Sequence, residues 1–277
     1  PVNCEWMIEQ DDLIEHAVSG LMSLVGTPGN EALTEVVNRF AVSNMEDTKG
    51  FDIVQSLTDL AKQLFSEGAD AYLHSLSRYS LADYMEMHAA YRKYCADYEQ
   101  RVEALGTKAM GLLRGIGMGV EHCNRGKTGF YSFFARMESF RDSVRDKKSL
   151  IINSYVANVF ENADYSGDLL CKPKTTFPGT DDIAQPLREI YFQIKELLDG
   201  PMVDYNTCRL LIGRLYSMAL LGELDRQMRA YAKDNEVVPI SDFNRLINKV
   251  VQEEPMPFVY ERLDRRYHNF LIDEFQD

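Results

Sequence analysis

Apolar residues spaced three and four apart from Leu81 to Leu105 most strongly limit what this chain can fold into. That spacing places them on one face of an α-helix, which completes a turn every ~3.6 residues. Ser80 directly precedes the stretch and is a typical N-cap residue. The chain is therefore predicted to be mainly α, with no strand near its N-terminus. Further helices are predicted at about 6–25, 31–42, 52–65, 150–162, 181–198, 205–234 and 241–251, and a long loop or linker at 165–180.

The helix predicted over 81–105 carries a stripe of tyrosines, which has two interpretations. Exposed tyrosine rings can stack on the bases of single-stranded nucleic acid. Tyrosines at helical spacing more commonly pack against neighbouring helices, and this interpretation is the favoured one. His88 lies in the same stripe and is interpreted as a core residue rather than a ligand. The tyrosines are Tyr84, Tyr91, Tyr94 and Tyr98.

Seven glycines lie between Gly106 and Gly129, and they predict a loop. Within it, Gly126-Lys127-Thr128 has the ending of a phosphate-binding loop. The first glycine of that motif is replaced by Glu121, whose carboxylate would repel a nucleotide phosphate, so an ATP site here is rejected. Two interpretations stay open for this loop: a contact to the DNA backbone, or a simple connection between helices.

The net charge of −13 argues against nucleic acid, because phosphate contacts need Lys and Arg. The charge is uneven, however, since residues 1–60 contain eleven acids against Arg39 and Lys49. Residues 122–148 instead contain seven bases against three acids. One face of the chain could therefore contact DNA while an acidic face stays in solvent. The candidate DNA-binding residues are Arg125, Lys127, Arg141, Arg145 and Lys148.

Three of these bases, Arg141, Arg145 and Lys148, follow one another at spacings of four and three. That spacing predicts that they share one face of a helix. The alternative for this face is that it is merely solvated and binds nothing.

The cysteines indicate a reducing environment. They are five in number and form no C-x-x-C pair, so neither a disulfide framework nor a zinc site is suggested. They are interpreted as reduced thiols of a cytoplasmic protein. No apolar run approaches the ~20 residues that span a bilayer, so no membrane partner is expected.

The last eight residues, 270–277, place three apolar residues directly before an acidic segment. This pattern predicts a short buried strand whose tip delivers carboxylates to a crevice, the place where open α/β sheets bind ligands. Asp273 could hold a Mg²⁺ ion bound to phosphates, because Mg²⁺ prefers oxygen ligands. Glu274 could polarise a water molecule for attack on a phosphoryl group.

The run Ile-Asp-Glu-Phe-Gln-Asp at 272–277 resembles the Walker B motif, or motif II, of superfamily 1 DNA helicases of the UvrD/Rep and RecB/AddA kind. Residues 240–247 resemble the Asp-Phe-x-x-Leu helix of that family, and residues 257–267 resemble the stretch before motif II. The resemblance thus covers roughly the last 40 residues, in the correct order.

This resemblance implies an ATP hydrolase that translocates along DNA and unwinds it in recombination or repair. It implies that Asp273 binds Mg²⁺ on ATP and that Glu274 activates the attacking water. Gln276 and Asp277 would couple the nucleotide state to neighbouring motifs. The implied partners are DNA, the rest of the helicase motor, and a nuclease or partner subunit.

The resemblance also implies a domain organisation. Residues 1–236 would form the helical insertion of the first motor domain, called 1B, and residues 237–277 a short α-plus-strand piece of its P-loop NTPase core. Because the chain begins at Pro1 and stops on the motif, we expect a fragment of a longer helicase that is inactive by itself. The alternative is a non-catalytic helical module that docks DNA or protein and has no ATPase role of its own.

Overall fold

The computed structural model describes residues 6–45, 52–66, 69–76 and 78–239 of the chain. Most of these residues are helical, which confirms the predicted mainly α class. None of the described helices is long and apolar enough to cross a membrane. The helices are α1 (Gln10–Leu24), α2 (Glu31–Met45), α3 (Ile53–Lys62), α4 (Ala69–Leu76), α5 (Leu81–Gly115), α6 (Phe130–Glu138), α7 (Phe140–Arg145), α8 (Ser154–Phe160), α9 (Thr180–Asp199), α10 (Pro201–Ile212) and α11 (Leu215–Asp234).

Two short strands pair across almost the whole described chain. Strand β1 (Trp6–Ile8) runs parallel to β2 (Val237–Pro239), with Trp6 opposite Val237. The expectation of a helix from residue 6, and of no strand near the N-terminus, is therefore wrong for residues 6–8. The local apolar pattern could not show this, because the backbone partner lies more than 200 residues away in sequence.

The start of α5 confirms the cap expected at Ser80. The Ser80 hydroxyl accepts a hydrogen bond from the backbone N–H of Asp83, at 3.2 Å. In return, the Asp83 carboxylate accepts one from the backbone N–H of Ser80, at 2.7 Å. This reciprocal arrangement satisfies two donors that a helix start leaves unpaired. The hydrogen bonds also hold the pKa of the Asp83 carboxyl below its usual value.

The described chain divides into two compact units. One contains the described residues up to Met85 and those from Tyr216 onward, and the other is Glu86–Leu215. The division predicted at residue 236 stays a prediction, because residues 240–277 lie outside the described part of the chain. The helix predicted at 241–251 lies there too.

The first unit is held together by the apolar faces of its helices. In α1 the buried residues recur at three and four, from Leu13 to Leu21, as the periodicity predicts. Leu57 of α3 and Leu224 of α11 are also fully buried. The His16 and Tyr231 rings stack with centroids 4.2 Å apart.

The second unit has an aromatic core built on α5, α6, α9 and α10. Tyr98 of α5 is 3% exposed and stacks on Tyr205, with ring centroids 4.7 Å apart. Its hydroxyl donates a hydrogen bond to the backbone oxygen of Leu197, at 3.1 Å. Tyr84, which belongs to the first unit, is 2% exposed, and His88 of the second unit is also buried, so the packing interpretation of the tyrosine stripe is confirmed for these residues. Buried rings such as these cannot stack on bases.

The glycine-rich stretch is only partly a loop. Helix α5 continues through Gly106 and ends at Gly115, ten residues beyond the predicted end. A Cβ at Gly106 would collide with the backbone of Met137 and Glu138, so glycine lets α5 and α6 approach closely. Glycine lowers helix propensity, but here tertiary packing overrides that local preference.

Two other predicted boundaries change. The predicted linker at 165–180 contains a 3-10 helix, Gly167–Leu170, and Leu170 is fully buried. Leu170 and Cys171 therefore belong to the core of the second unit, while residues 172–176 of the same segment are exposed. The helix predicted over 205–234 is two helices, α10 and α11, which are separated at Gly213 and Arg214.

Candidate nucleic-acid interface

The predicted catalytic and metal-binding residues cannot be placed in the fold. Asp273, Glu274, Gln276 and Asp277 all lie outside the described residues, so their roles stay predictions. Within the described part of the chain, no group of three or more His, Cys, Asp or Glu side chains could hold a metal ion. The described residues that bear on function are therefore the predicted DNA contacts.

Gly126-Lys127-Thr128 forms a single 3-10 turn directly before α6. Its start is set by Arg125, whose φ of 59° and ψ of 7° are left-handed. Its end is set by Gly129, where a Cβ would collide with the carbonyl oxygen of Asn124. The turn thus closes on its own backbone, and it does not have the form of a loop that wraps a nucleotide phosphate.

Arg125 lies over the ring of Tyr155, with the guanidinium carbon 4.8 Å from the ring centroid. Both side chains are exposed. A guanidinium stacked on an aromatic face keeps its N–H groups free at its edge, where they can bind a phosphate in a bidentate manner. Tyr155 therefore positions Arg125 without neutralising its charge.

Asn153 fixes Tyr155 beside this turn. Its side-chain N–H donates to the backbone oxygen of Thr128 at 3.0 Å, and its side-chain oxygen accepts from the backbone N–H of Val156 at 3.0 Å. Asn153 is thus both the N-cap of α8 and a direct link to the turn. Tyr155, in the first turn of α8, is held near Arg125 as a result.

A second loop lies against the first through an antiparallel bridge between Cys123 and Cys171. The backbone N–H of Asn124 donates to the oxygen of Leu170 at 2.8 Å, and that of Lys172 donates to the oxygen of His122 at 3.2 Å. We call residues 119–129 and 167–179 the paired loops. They expose four cations for which the structure gives no carboxylate partner among the described residues: Arg125, Lys127, Lys172 and Lys174.

The two cysteines of the bridge are structural. Cys123 is fully buried, Cys171 is 2% exposed, and both are free thiols. Burial raises the pKa of Cys123 to about 12, which keeps the thiol protonated and unreactive at neutral pH. The bridge that joins the paired loops is therefore anchored in the core by two buried cysteine side chains. Cys4 lies outside the described residues.

The other predicted contacts belong to what we call the ion-paired segment, residues 139–148. Arg141 Nε lies 2.8 Å from Glu99 Oε2, and Arg141 Nη1 lies 3.8 Å from Glu103 Oε2. The hydrogen bond to Glu99 raises the pKa of Arg141. The charge of Arg141 is thus compensated within the fold.

Arg145 and Lys148 share carboxylates in the same segment. Arg145 Nη2 lies 2.9 Å from Asp142 Oδ1, and Lys148 Nζ lies 3.1 Å from Asp146 Oδ2. Lys148 holds the pKa of the Asp146 carboxyl below its usual value. The predicted shared helical face is wrong for Lys148, because α7 ends at Arg145 and Lys147 has a left-handed φ of 54°.

Arg136 of α6 is a third kind of cation. Its Nε is buried and has no hydrogen-bond partner among the described residues. Burial lowers the pKa of this guanidinium. Arg136 is thus neither paired with a carboxylate nor freely exposed.

Sequence reasoning included Arg125 and Lys127 but missed Lys172, Lys174 and Tyr155. The Lys-Pro-Lys-Thr-Thr run at 172–176 is a visible basic signal, since Pro and Thr favour an exposed turn. Its position beside Arg125 follows from the bridge at Cys123, which is a tertiary feature. Comparison of the chain with protein families, curated proteins and solved structures gives no match.

Proposed function

We propose that this chain is part of an ATP-dependent DNA helicase of superfamily 1, or of a helicase–nuclease, and that its paired loops contact the DNA backbone. The resemblance of residues 272–277 to motif II supports the motor role. The arrangement of exposed cations on the paired loops supports the DNA contact. DNA binding, ATP and Mg²⁺ thus belong to one proposed activity.

The observation that carries the DNA contact is the difference in pairing among the basic residues. The four cations of the paired loops face solvent without a carboxylate partner among the described residues. They share these loops with two carboxylates, Glu121 and Asp168. A net positive surface suits contacts to phosphate, because neutralising phosphates releases counterions.

In the motor, Asp273 would hold Mg²⁺ on the β- and γ-phosphates and Glu274 would activate the attacking water. The turn at Gly126-Lys127-Thr128 supplies no phosphate cradle, so the chain by itself should show no ATPase activity. In the complete helicase, Glu274→Gln should lower hydrolysis by ~10²–10⁴-fold, the usual effect of losing a general base. Nucleotide binding should be retained, and turnover within a factor of a few of the wild type would contradict the role of Glu274.

The DNA contact is tested by fluorescence anisotropy with a labelled duplex and a labelled single strand, across a salt series. Substituting all four cations of the paired loops by Gln should flatten the salt dependence of binding by up to ~4 units, roughly one for each lost phosphate contact. The control removes three cations from the ion-paired segment by substituting Arg141, Arg145 and Lys148 by Gln.

The control should change the slope by less than about one unit, because those charges are already compensated. Circular dichroism checks that both variants fold. An unchanged slope in the folded loop variant would overturn the contact and leave the helices with a bracing role. A larger change in the control would place the DNA on the ion-paired segment instead.

A further inference from the structure

The first unit contains a solvent-open groove of about 490 Å³ between α1 and α3. The apolar side chains of Ile14 and Val18 line its floor, and both are already packed in the fold, at 1% and 2% exposure. The residues that line its walls recur at helical spacing. On α3 they are Val54, Thr58 and Lys62, which lie four apart. On the α1 side the lining residues run from Asp11 to Met22.

The walls of this groove suit a third helix. Residues spaced four apart on α3 and three or four apart on α1 form two ridges with a channel between them, the surface into which another helix packs. From Asp11 to Met22 the channel follows about 16 Å of helix, at ~1.5 Å for each residue. This is the length of about three helical turns.

The charged residues that line the groove indicate which kind of helix it can bind. Asp11 and Glu15 lie four apart on the α1 wall, where like charges repel each other. Among the described residues, neither forms an ion pair or a side-chain hydrogen bond. The basic residue on the opposite wall is Lys62, whose Nζ lies 3.6 Å from Asp59 Oδ1. The groove therefore combines an apolar floor with an acidic edge whose two carboxylates have no ion-pair partner among the described residues.

The surroundings strengthen this preference. Residues 6–45 and 52–66 contain eight carboxylates against Arg39 and Lys62, and each of these bases has a carboxylate partner. The resulting negative field attracts cationic partners and speeds their association. Val54 at the rim is 49% exposed, which leaves apolar surface for a partner to cover.

We infer that the groove between α1 and α3 docks a short, basic amphipathic helix of a partner protein. Apolar side chains of that helix fill the channel over Ile14 and Val18, and its Lys or Arg side chains lie between Asp11 and Glu15. This is the helix-in-groove mode of recognition, in which apolar anchors recur at three and four. The inference concerns a different unit from the paired loops and does not depend on DNA binding.

The test uses the full chain and a fluorescein-labelled 14-residue helix of Leu and Lys, with Leu at positions spaced three and four. A peptide of the same composition without that period, and a Leu–Glu peptide with it, are the control probes. We expect the periodic Lys peptide to bind at least tenfold more tightly than either control. Equal binding of the periodic and aperiodic Lys peptides, or no binding at all, would overturn the inference.

Two substitutions of equal charge then locate the site. Asp11 lines the groove and Asp12 does not, although both are exposed in the first turn of α1. Asp11→Lys should weaken peptide binding by about tenfold, and Asp12→Lys by less than about threefold. Val54→Arg should also weaken it, because this side chain would occupy the rim. Equal losses for Asp11→Lys and Asp12→Lys would show attraction by net charge alone and would overturn the groove.

Discussion

The paired loops and the ion-paired segment have the same kinds of residue but present them differently. Both are rich in Lys and Arg. The ion-paired segment and most of the first paired loop lie within residues 122–148, which have net positive charge, and the second paired loop lies against the first. In the ion-paired segment, three of the four bases, Arg141, Arg145 and Lys148, each meet a carboxylate within 4 Å. In the paired loops, Arg125 instead meets an aromatic face. The comparison teaches that counting charges along a sequence does not show which cations are available to a ligand.

Exposed ion pairs are weak, typically ~0–1 kcal/mol, so a phosphate could displace a carboxylate partner. The difference between the two regions is therefore one of degree. In the ion-paired segment an ion pair must first be broken before a phosphate can bind, which costs free energy that the paired loops do not lose.

The largest effect is expected from the backbone that supports the paired loops. In Gly129→Ala the new methyl group would collide with the Asn124 carbonyl, so the turn must open. We expect the free energy of unfolding to fall by more than ~2 kcal/mol, and DNA affinity to fall with it. Urea denaturation followed by circular dichroism measures the first effect.

The matched control is Gly111→Ala, in the exposed part of α5. Apart from the neighbouring backbone of α5 itself, no described atom lies within 4 Å of a Cβ built at Gly111. Alanine is the better helix former there, so stability should rise by about 0.5–1 kcal/mol. If Gly129→Ala were as harmless as Gly111→Ala, the turn would not be held by this close approach.

The contrast between Gly106 and Gly111 shows which features of the fold the sequence can predict. Periodicity predicted the positions of most helices, and Ser80 predicted the start of α5, because both signals are local. Gly106 and Gly111 look alike in sequence, yet only Gly106 touches another helix. A local rule penalises both, whereas the fold uses one of them for packing.

The candidate interface was predictable to a similar extent. Arg125 and Lys127 stand out as bases in a glycine-rich loop. That Glu99 and Glu103 lie beside Arg141 depends on how α5 packs near α7, some 40 residues away in sequence. Ion pairs between residues this far apart in sequence depend on the tertiary structure. The sequence therefore could not show which cations are paired with carboxylates and which are free to bind a ligand.

Removing the carboxylates that pair with Arg141 would give the ion-paired segment an uncompensated cation, as in the paired loops. The double substitution Glu99→Gln and Glu103→Gln removes the counter-charges of Arg141 and leaves one amide oxygen on each side chain as an acceptor. Glu99 also accepts a hydrogen bond from the Tyr205 hydroxyl, at 2.8 Å, so circular dichroism must check that the variant folds. If DNA passes near, Arg141 should gain a phosphate contact and steepen the salt dependence by up to about one unit. Anisotropy across a salt series measures this change.

Removing any two carboxylates also lowers general repulsion of DNA, so a charge-matched control is needed. Glu86→Gln with Asp97→Asn removes two exposed carboxylates from the same helix. Neither of these has an ion-pair partner among the described residues. Equal effects of the two double variants would mean that Arg141 itself gains no contact.

Arg136 adds a third case to the comparison, because its Nε is buried and has no hydrogen-bond partner among the described residues. Arg136→Met keeps an apolar chain as far as the position of Nε and removes the unpaired donor together with the rest of the guanidinium. We expect the free energy of unfolding to rise by about 1 kcal/mol, the usual size of an unsatisfied buried donor. A loss of stability, measured by urea denaturation, would show that the arginine has a favourable interaction in solution.

The smallest predicted effect concerns the ring that positions Arg125. Tyr155→Leu removes the aromatic face that lies 4.8 Å from the guanidinium, while Tyr155→Phe keeps it. A cation–π contact at an exposed site contributes about 0.5–1 kcal/mol, so the leucine variant should bind DNA roughly two- to fivefold more weakly. The salt dependence should hardly change, because the charge of Arg125 is still present. Phenylalanine should bind like the wild type, which separates positioning of Arg125 from a direct contact between the Tyr155 hydroxyl and DNA. If both variants lost affinity equally, the hydroxyl would be the contact, and the stacked ring would not be what holds Arg125 ready for a phosphate.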